Sequence, residues 1–260
     1  MKIAEILVKM REKRPLVHCI GNDISTADTA NLLLAAGARP IMSYAPQEAE
    51  EISRACRATV LNCGTPIQEK FDGLANAAKG AANHPVIIDP VGAGASRWRK
   101  QNIVTLIENS RVDIIHCNYS EALALTDTDT AFAGVDSIDD EQSCRITAAR
   151  ALALKYGCTV VMTGRKDIVT DGVKTAVVHG GSSMMSLVSG SGCMLGALLA
   201  AFATAGHSFE CSVAACAFWK KCAEMAGERA HSPGGLRAAL ADAAYELQPQ
   251  RLEEVKIDYR

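Results

Sequence analysis

Short apolar runs alternate with longer helical patterns along the first 163 residues of the chain. Several runs are continuously apolar, as in Val86-Ile87-Ile88, which is typical of strands covered on both faces. The predicted strands are Pro15–Ile20, Pro40–Ser43, Ala58–Cys63, Pro85–Asp89, Val112–Cys117 and Thr159–Thr163. The predicted helices are Thr26–Ala36, Gln47–Cys56, Ile67–Asn83, Trp98–Asn109, Ser120–Leu125 and Asp139–Tyr156. This alternation predicts a three-layer α/β fold, with a mostly parallel central sheet and helices on both faces.

The pattern changes after Thr163. Two short runs around Gly172 predict a hairpin or a pair of edge strands: Asp167–Asp171 and Val173–His179. From Gly192 onward the pattern is helical, with predicted helices at Met194–Ala205, Phe209–His231 and Gly234–Leu247. Asp127–Ser137 is predicted to be a loop, and the charged segment Glu253–Arg260 is expected to be ordered only if it docks.

Composition and charge exclude several functional classes. A net charge of −2 over 260 residues gives no electrostatic footprint for nucleic acid. No apolar run reaches the length of a membrane span, and residues 1–5 do not resemble a secretion signal. The ten cysteines form no Cys-x-x-Cys pair, so most are interpreted as small buried side chains in a reducing cytoplasm. We expect a single cytoplasmic domain spanning residues 1–260, with no nucleic-acid or membrane partner.

The most informative segment is Val188–Cys193, a glycine-rich turn before a long apolar helix. Gly190 and Gly192 allow the backbone to approach a ligand, and the first N–H groups of the helix are free to bind an anion. Cys193 lies in the same positive field, so a lowered thiol pKa is expected. A tight turn with a buried cysteine is the structural alternative, and from this segment alone it is equally well supported.

Two carboxylates are candidate magnesium ligands. Asp89 ends a buried strand and is followed by a glycine-containing loop, whereas Glu121 follows Asn118 at the start of a helix. Side chains at the carboxyl ends of parallel strands face the ligand crevice of an open sheet. Oxygen ligands of this kind suit Mg²⁺. The alternative is local: Asp89 would cap its own turn, and either Ser120 or Asn118 would be the helix N-cap.

Other polar residues follow predicted strands and are weaker candidates. Asn22 follows the first strand and is predicted to hydrogen-bond a small heterocycle, whereas Thr163 follows the sixth and is predicted to contact a nucleotide phosphate. Arg165 and Lys166 are interpreted as a solvated turn, and His18 as an internal strand residue. The chain has no P-loop signature, so phosphoryl transfer would depend on an anion hole and a metal.

In order and spacing, these segments resemble the hydroxyethylthiazole kinase family of the ribokinase-like superfamily. The resemblance runs from about residue 15 to residue 247 and is carried by Pro15–Asn22, Gly37–Met42, Leu61–Thr65, Asp89–Ala95, Asn118–Glu121, Gly134–Ser137, Thr163-Gly164 and Gly190–Cys193. It implies a ribokinase-like fold and ATP-dependent phosphorylation of 4-methyl-5-(2-hydroxyethyl)thiazole, a step of thiamine salvage. It further implies Mg²⁺ and a homotrimer with sites near the subunit contacts.

The resemblance also implies residue roles. Met42 and Gly190 match the family's thiazole contacts, and Thr163 matches an ATP contact. Cys193 falls where the wider superfamily has an aspartate base. One departure concerns ATP: His116-Cys117-Asn118 replaces the family's Arg-Gly-Asn. A neutral His116 would contact the ATP phosphates more weakly than an arginine fork.

The resulting hypothesis is a kinase in which Gly192 and its neighbours hold the phosphoryl group, His116, Asn118 and Thr163 contact ATP, and Cys193 is the base. Two alternatives remain open. One is a related activity, such as a pyrimidine kinase or a nicotinamide-nucleotide hydrate dehydratase. The other is a thiazole-binding sensor or carrier with weakened catalysis, for which the replacement of arginine by His116 is the main support.

Overall fold

The structure, a computed structural model, describes residues 2–126 and 138–260. Within these residues the strands are β1 (Leu16–Ile20), β2 (Arg39–Met42), β3 (Ala58–Asn62), β4 (Val86–Asp89), β5 (Ile114–Cys117), β6 (Thr159–Met162), β7 (Asp167–Thr170), β8 (Thr175–Val178) and β9 (Ile257–Tyr259). The helices are α1 (Ile3–Lys13), α2 (Thr26–Ala36), α3 (Pro46–Ala55), α4 (Gln68–Gly80), α5 (Arg97–Glu108), α6 (Tyr119–Thr126), α7 (Ile138–Tyr156), α8 (Ser191–Ala203), α9 (Ser208–Arg229) and α10 (Pro233–Glu246). Two 3-10 helices, Ser183–Leu187 and Pro249–Glu254, complete the described elements.

All nine strands join one sheet in the order β2-β1-β3-β4-β5-β6-β7-β8-β9. Strands β1 to β6 run parallel, whereas β7, β8 and β9 pair in antiparallel fashion beyond β6. From β1 the chain moves outward to β2 and then returns past β1 to β3, so the loops after β1 and β3 diverge. Open α/β sheets bind their ligands at such a switch point, on the carboxyl side of the strands.

Helices cover both faces of the sheet. One apolar core contains side chains of α1, α2, α8, α9 and α10, and the other contains side chains of α4, α5, α6 and α7. Helix α8 is the most buried, since every residue from Met194 to Ala203 is buried. It packs across β1, β3 and β4. Its first turns therefore reach the edge of the sheet where the parallel strands end.

The predicted α/β class, the six parallel strands and the hairpin after β6 are confirmed. Four elements were not predicted: α1, the two 3-10 helices Ser183–Leu187 and Pro249–Glu254, and β9, through which the charged C-terminal segment pairs with β8. Helix α8 starts at Ser191, three residues before the predicted start at Met194. The predicted loop Asp127–Ser137 lies outside the described residues. In the parts of the chain that the structure describes, no helix combines the length and the apolarity needed to cross a membrane.

Candidate active site

The turn before α8 requires a glycine. Gly190 is the N-cap residue and has a φ of 81°, in the left-handed region that favours glycine. A Cβ at this position would lie 2.3 Å from the Cβ of Ser25, because the turn packs directly against the loop after β1. No side chain caps the helix. The first-turn N–H groups of Gly192 and Cys193 have no carbonyl within the helix to bond, so this end carries the positive potential of a helix N-terminus.

Asn62 connects the central polar groups of the site. Its Nδ2 donates to Asp89 Oδ2 at 2.7 Å and contacts Cys193 Sγ at 3.3 Å, and its Oδ1 accepts from the N–H of Gly64 at 2.9 Å. Asn62 and Asp89 are register partners at the ends of the adjacent strands β3 and β4, and both are buried. Sequence reasoning did not select Asn62 as a site residue. The available signal was a polar residue at the end of an otherwise apolar strand.

His116 lies against Asp89 on the other side. Its Nδ1 is 3.5 Å from Asp89 Oδ2, and both ring nitrogens are buried without a hydrogen-bond partner among the described residues. Burial by itself lowers the pKa of His116, but the nearby carboxylates, Asp89 foremost, outweigh burial and raise that pKa above its ordinary value. This shift runs opposite to the one that would favour a neutral imidazole. The ring lies against the start of α8, since a Cβ on Gly192 would be 3.8 Å from His116 Cε1.

Glu121 joins two loops through its carboxylate. Its Oε1 accepts from the N–H of Gly92 at 2.8 Å, and its Oε2 accepts from the N–H of Asn118 at 2.9 Å. Burial raises the pKa of Glu121, the two backbone N–H groups oppose this, and the charge of Asp89 adds to the increase. Each carboxylate oxygen accepts one backbone hydrogen bond, so a further lone pair is free on each. Glu121 thus holds the Asp89 loop in place and still presents oxygen to the site.

Asn118 caps α6. Its Oδ1 accepts from the Ser120 hydroxyl at 2.8 Å and from the N–H of Glu121 at 2.9 Å, and the residue is exposed. The structural alternative from the sequence is therefore confirmed for this side chain. Its predicted ATP contact stays a prediction.

The thiol of Cys193 is not activated. Burial raises its pKa, and the charge of Asp89 adds to the increase. Hydrogen bonds from Ser25, Asn62 and its own N–H lower the pKa only in part. The prediction of a lowered thiol pKa at this helix start is wrong, because desolvation and a neighbouring carboxylate outweigh the helix field.

The predicted thiazole contacts lie on the β1 and β2 side of α8. Asn22 uses its Oδ1 to accept from the N–H of Ile24 at 3.0 Å, and it packs so closely on Gly64 that a Cβ there would lie 2.4 Å from Asn22 Nδ2. Met42 is half-buried at the end of β2, with its methyl group close to Gly21. Together with Gly190, these residues line the switch point between β1 and β3. We call this region the acceptor side.

A cavity of about 890 Å³ lies on the other side of the α8 start. We call this region the nucleotide side. Its wall includes Thr163, whose N–H and hydroxyl both bond the carbonyl of Cys117, at 2.9 and 3.4 Å. Lys220 Nζ donates to the Gly164 carbonyl at 3.0 Å and lies 3.1 Å from Asp167 Oδ1. Sequence reasoning missed Lys220 and its neighbour in the cavity wall, Trp219, because both lie more than fifty residues after the loop Thr163–Asp167 and belong to no motif.

Buried Arg145 holds the loop after β6. Its Nη2 donates to the carbonyl of Thr163 at 3.1 Å and to that of Lys166 at 3.2 Å. Lys166 bonds Gln142, whereas Arg165 is exposed, so the predicted solvated turn is confirmed only for Arg165. His18 is fully buried within β1, as predicted.

The two sides meet at three consecutive residues. Ser191 and Gly192 line the cavity, whereas the next residue, Cys193, contacts Asn62. A sheet of this topology, with a helix N-terminus between a large cavity and a buried carboxylate, defines an α/β small-molecule kinase of the ribokinase-like type. Solved structures support the fold: a pyridoxal kinase from Staphylococcus aureus in complex with ADP superposes with a TM-score of 0.61 at 15% identity, over 81% of this chain and 87% of that one.

The chain belongs to the hydroxyethylthiazole kinase family, whose model matches residues 7–250. It is 40% identical to hydroxyethylthiazole kinase 2 of Clostridium botulinum strain Loch Maree, covering 96% of this chain and 95% of that protein. It is 37% identical to hydroxyethylthiazole kinase of Desulforudis audaxviator, covering 98% of this chain and 94% of that protein. The solved hydroxyethylthiazole kinase protein of Pyrococcus horikoshii OT3 superposes with a TM-score of 0.91 at 32% identity, over 99% of this chain and 98% of that one.

These comparisons confirm the resemblance drawn from the sequence. One matching stretch, Gly134–Ser137, lies outside the described residues. The others lie on the strand ends, loops and helix start described above.

Proposed function

We propose that this protein phosphorylates the hydroxyl of 4-methyl-5-(2-hydroxyethyl)thiazole with ATP, a step of thiamine salvage. One observation carries the proposal: the first turn of α8 lies between the 890 Å³ cavity and the Asn62–Asp89–Cys193 cluster. A phosphate donor in the cavity and an alcohol at the cluster would meet at backbone N–H groups. The kinase relatives of similar length support both the reaction and the substrate.

The chain's own groups divide the work. The N–H groups of Gly192 and Cys193 stabilise charge on the transferring phosphoryl oxygens, and His116 lies beside them with a pKa raised by Asp89. The transition state of phosphoryl transfer is loose, so positioning and charge stabilisation count for more than base strength. Cys193 has a raised pKa and stays a neutral thiol, so it is not poised to accept the alcohol proton. Its main contribution is a hydrogen-bonded contact beside the acceptor oxygen.

Asp89 and Glu121 suit a hard divalent cation. Both are buried carboxylates, and free lone pairs on Glu121 remain after its two backbone bonds. No cluster of three or more His, Cys, Asp or Glu side chains placed to hold a metal occurs within residues 2–126 and 138–260. A Mg²⁺ held by one or two carboxylates together with ATP phosphates needs no such cluster. When bound, Mg²⁺ would neutralise negative charge on the phosphates.

We place the nucleotide on the cavity side, beside Thr163 and Lys220, and the thiazole on the acceptor side, beside Asn22, Met42 and Gly190. We also propose a cytoplasmic homotrimer. Large apolar side chains that are mostly exposed, Ile24 at 67% and Leu187 at 66%, flank the acceptor side and are available for a subunit contact.

ADP release with saturating ATP and Mg²⁺ tests the function. The thiazole alcohol should release ADP far faster than pyridoxal or a hydroxymethylpyrimidine, with the phosphorylated thiazole as product. Faster ADP release with another acceptor would show that the thiazole alcohol is not the preferred substrate. Binding of the thiazole without ADP release would favour a sensor or carrier. Light scattering of the purified protein would test the trimer separately.

A further inference from the structure

Lys70 is a buried cation for which the proposed reaction has no direct use. It is only 2% exposed, although it is the third residue of α4. A positive charge there is unfavourable for two reasons: it loses its hydration, and it lies at the positive end of a helix dipole. Burial accordingly lowers the pKa of Lys70, and only nearby acidic and thiol groups oppose that shift. The surrounding oxygens must offset both costs.

Three oxygens surround the ammonium group. Lys70 Nζ donates to the carbonyl of Gly21 at 2.6 Å, to the carbonyl of Gly64 at 2.5 Å and to the hydroxyl of Thr65 at 3.3 Å. Gly21 follows β1 and Gly64 follows β3, so one charge joins the two loops that diverge at the switch point. Thr65 has a φ of 44°, an uncommon conformation for a β-branched residue. We call Lys70 Nζ and these three oxygens the Lys70 cage. The cage holds Thr65 in a backbone conformation that would otherwise relax.

Both loops carry groups of the acceptor side. Gly21 is followed by Asn22, and Gly64 donates its N–H to Asn62, which in turn contacts Asp89 and Cys193. Spacing between the loops is tight, because a Cβ on Gly64 would lie 2.4 Å from Asn22 Nδ2 and 2.9 Å from Asn62 Oδ1. Any opening of the Lys70 cage would move Asn22 and Asn62 relative to each other.

Within the described residues, no hydrogen bond of Lys70 reaches the nucleotide side. The loop of that side, Thr163–Asp167, follows β6 and is bonded by Arg145 of α7 and Lys220 of α9. A disturbance at Lys70 should therefore affect the acceptor and leave ATP binding unchanged.

We propose that Lys70 is a positioning residue for the acceptor alcohol: its buried ammonium fixes the loops after β1 and β3, and through them Asn22 and Asn62. The inference rests on the proposed kinase function. A role in stability alone would lower the melting temperature without changing the balance between the two substrates.

The test uses Lys70→Ala with chemical rescue. This substitution removes the atoms of propylammonium, so added propylammonium can refill the cage, whereas 1-propanol has a similar shape without the charge. We expect the KM for the thiazole alcohol to rise about tenfold or more, as expected when buried acceptors lose a charged donor, with the KM for ATP within twofold. Propylammonium should restore the acceptor KM, and 1-propanol should not. Lys79→Ala on the same helix, an exposed lysine that bonds Asn76, is the matched control.

Lys70→Met, which keeps most of the volume, covers the case in which Lys70→Ala fails to fold. Amide hydrogen exchange of residues 21–26 and 62–66 in that variant gives a readout that needs no activity, and it should be faster than in the unmodified protein. Equal increases in the KM for the thiazole alcohol and the KM for ATP would overturn the proposal. So would a failure of propylammonium to restore the acceptor KM, if amide exchange in Lys70→Met is also unchanged. If the unmodified protein in the same assay fails to phosphorylate the thiazole while the exchange difference persists, the proposed function fails and the role of Lys70 in loop positioning stands.

Discussion

The acceptor side and the nucleotide side are built differently. Asp89, Asn62 and Lys70 are at most 4% exposed. Asn62 bonds Asp89 between β3 and β4, and Lys70 bonds the carbonyl of Gly64 in the loop after β3. On the nucleotide side, Thr163 and Lys220 line a cavity of about 890 Å³ and are more accessible. Buried polar groups in full networks hold a fixed geometry. If the proposed assignment of the two sides is right, precise placement is concentrated at the reacting alcohol, and the nucleotide has a roomier space.

The largest effect should come from the centre of the acceptor side. Asp89→Asn removes the negative charge of the carboxylate that faces His116 and accepts a hydrogen bond from Asn62. We expect kcat to fall about 10³-fold, comparable to the loss of a preorganised electrostatic contact. Steady-state kinetics with both substrates measures this, and Asp72→Asn on the exposed face of α4 is the control. A loss below tenfold would mean that Asp89 is not central to the reaction.

Gly190→Ala tests the element shared by both sides. The left-handed φ and the contact with Ser25 leave no room for a methyl group, so the turn must shift. The strain amounts to about 1–3 kcal/mol, and kcat/KM should fall about 100-fold as the free N–H groups move. Gly234→Ala at the start of α10, where a Cβ would meet nothing within 4 Å, should leave kcat/KM unchanged. If kcat/KM fell equally in Gly190→Ala and Gly234→Ala, the turn at Gly190 would have no special role.

Lys220→Met should affect the nucleotide side alone. Loss of one charged donor in the cavity is expected to raise the KM for ATP about tenfold, with the acceptor KM unchanged. Lys221→Met is the control, because its side chain pairs with Glu224 and Glu254 and is not among the described residues that line the cavity. A rise in the acceptor KM instead would show that the two sides are not separable in this way.

The smallest effect should come from Cys193→Ser. Because burial and Asp89 raise the pKa of the thiol, it stays protonated at neutral pH, and kcat should fall less than about 10-fold, below the roughly 10²–10⁴-fold contribution of a general base. The loss should be constant between pH 6 and pH 8, since the thiol ionises only above this range. Mapping of iodoacetamide modification by mass spectrometry should show slow labelling of Cys193 at pH 8. Rapid labelling of Cys193 at pH 8, together with a fall in kcat of Cys193→Ser that grows with pH, would show that the thiolate is the base.

Apolar patterning predicted the framework because it depends on local sequence. Continuous apolar runs such as Val86-Ile87-Ile88 could be assigned to buried parallel strands, and the polar residues at their ends to one edge of the sheet. Helix α1 was missed although Ile3, Ile6, Leu7 and Met10 have helical spacing. Strand β9 could not be found this way, because it depends on pairing with β8.

The site was predicted less completely, for physical reasons. Lys70 has the sequence pattern of an exposed helix charge, and only the loops from β1 and β3 make it a buried one. Lys220 lies more than fifty residues from the Asp167 that pairs with it. The predicted pKa direction of Cys193 was wrong, and the raised pKa of His116 was not foreseen, because burial and neighbouring charge depend on tertiary structure.

The central claim is that one site, divided by the start of α8, transfers phosphate from ATP to the thiazole alcohol. The most direct measurement is a single-turnover reaction with excess enzyme, Mg²⁺ and ATP labelled in its γ-phosphate. The products are identified by mass spectrometry. The label should appear on the thiazole hydroxyl in the unmodified protein and be nearly absent with Asp89→Asn. Label in inorganic phosphate alone, or equal transfer by both proteins, would contradict the account.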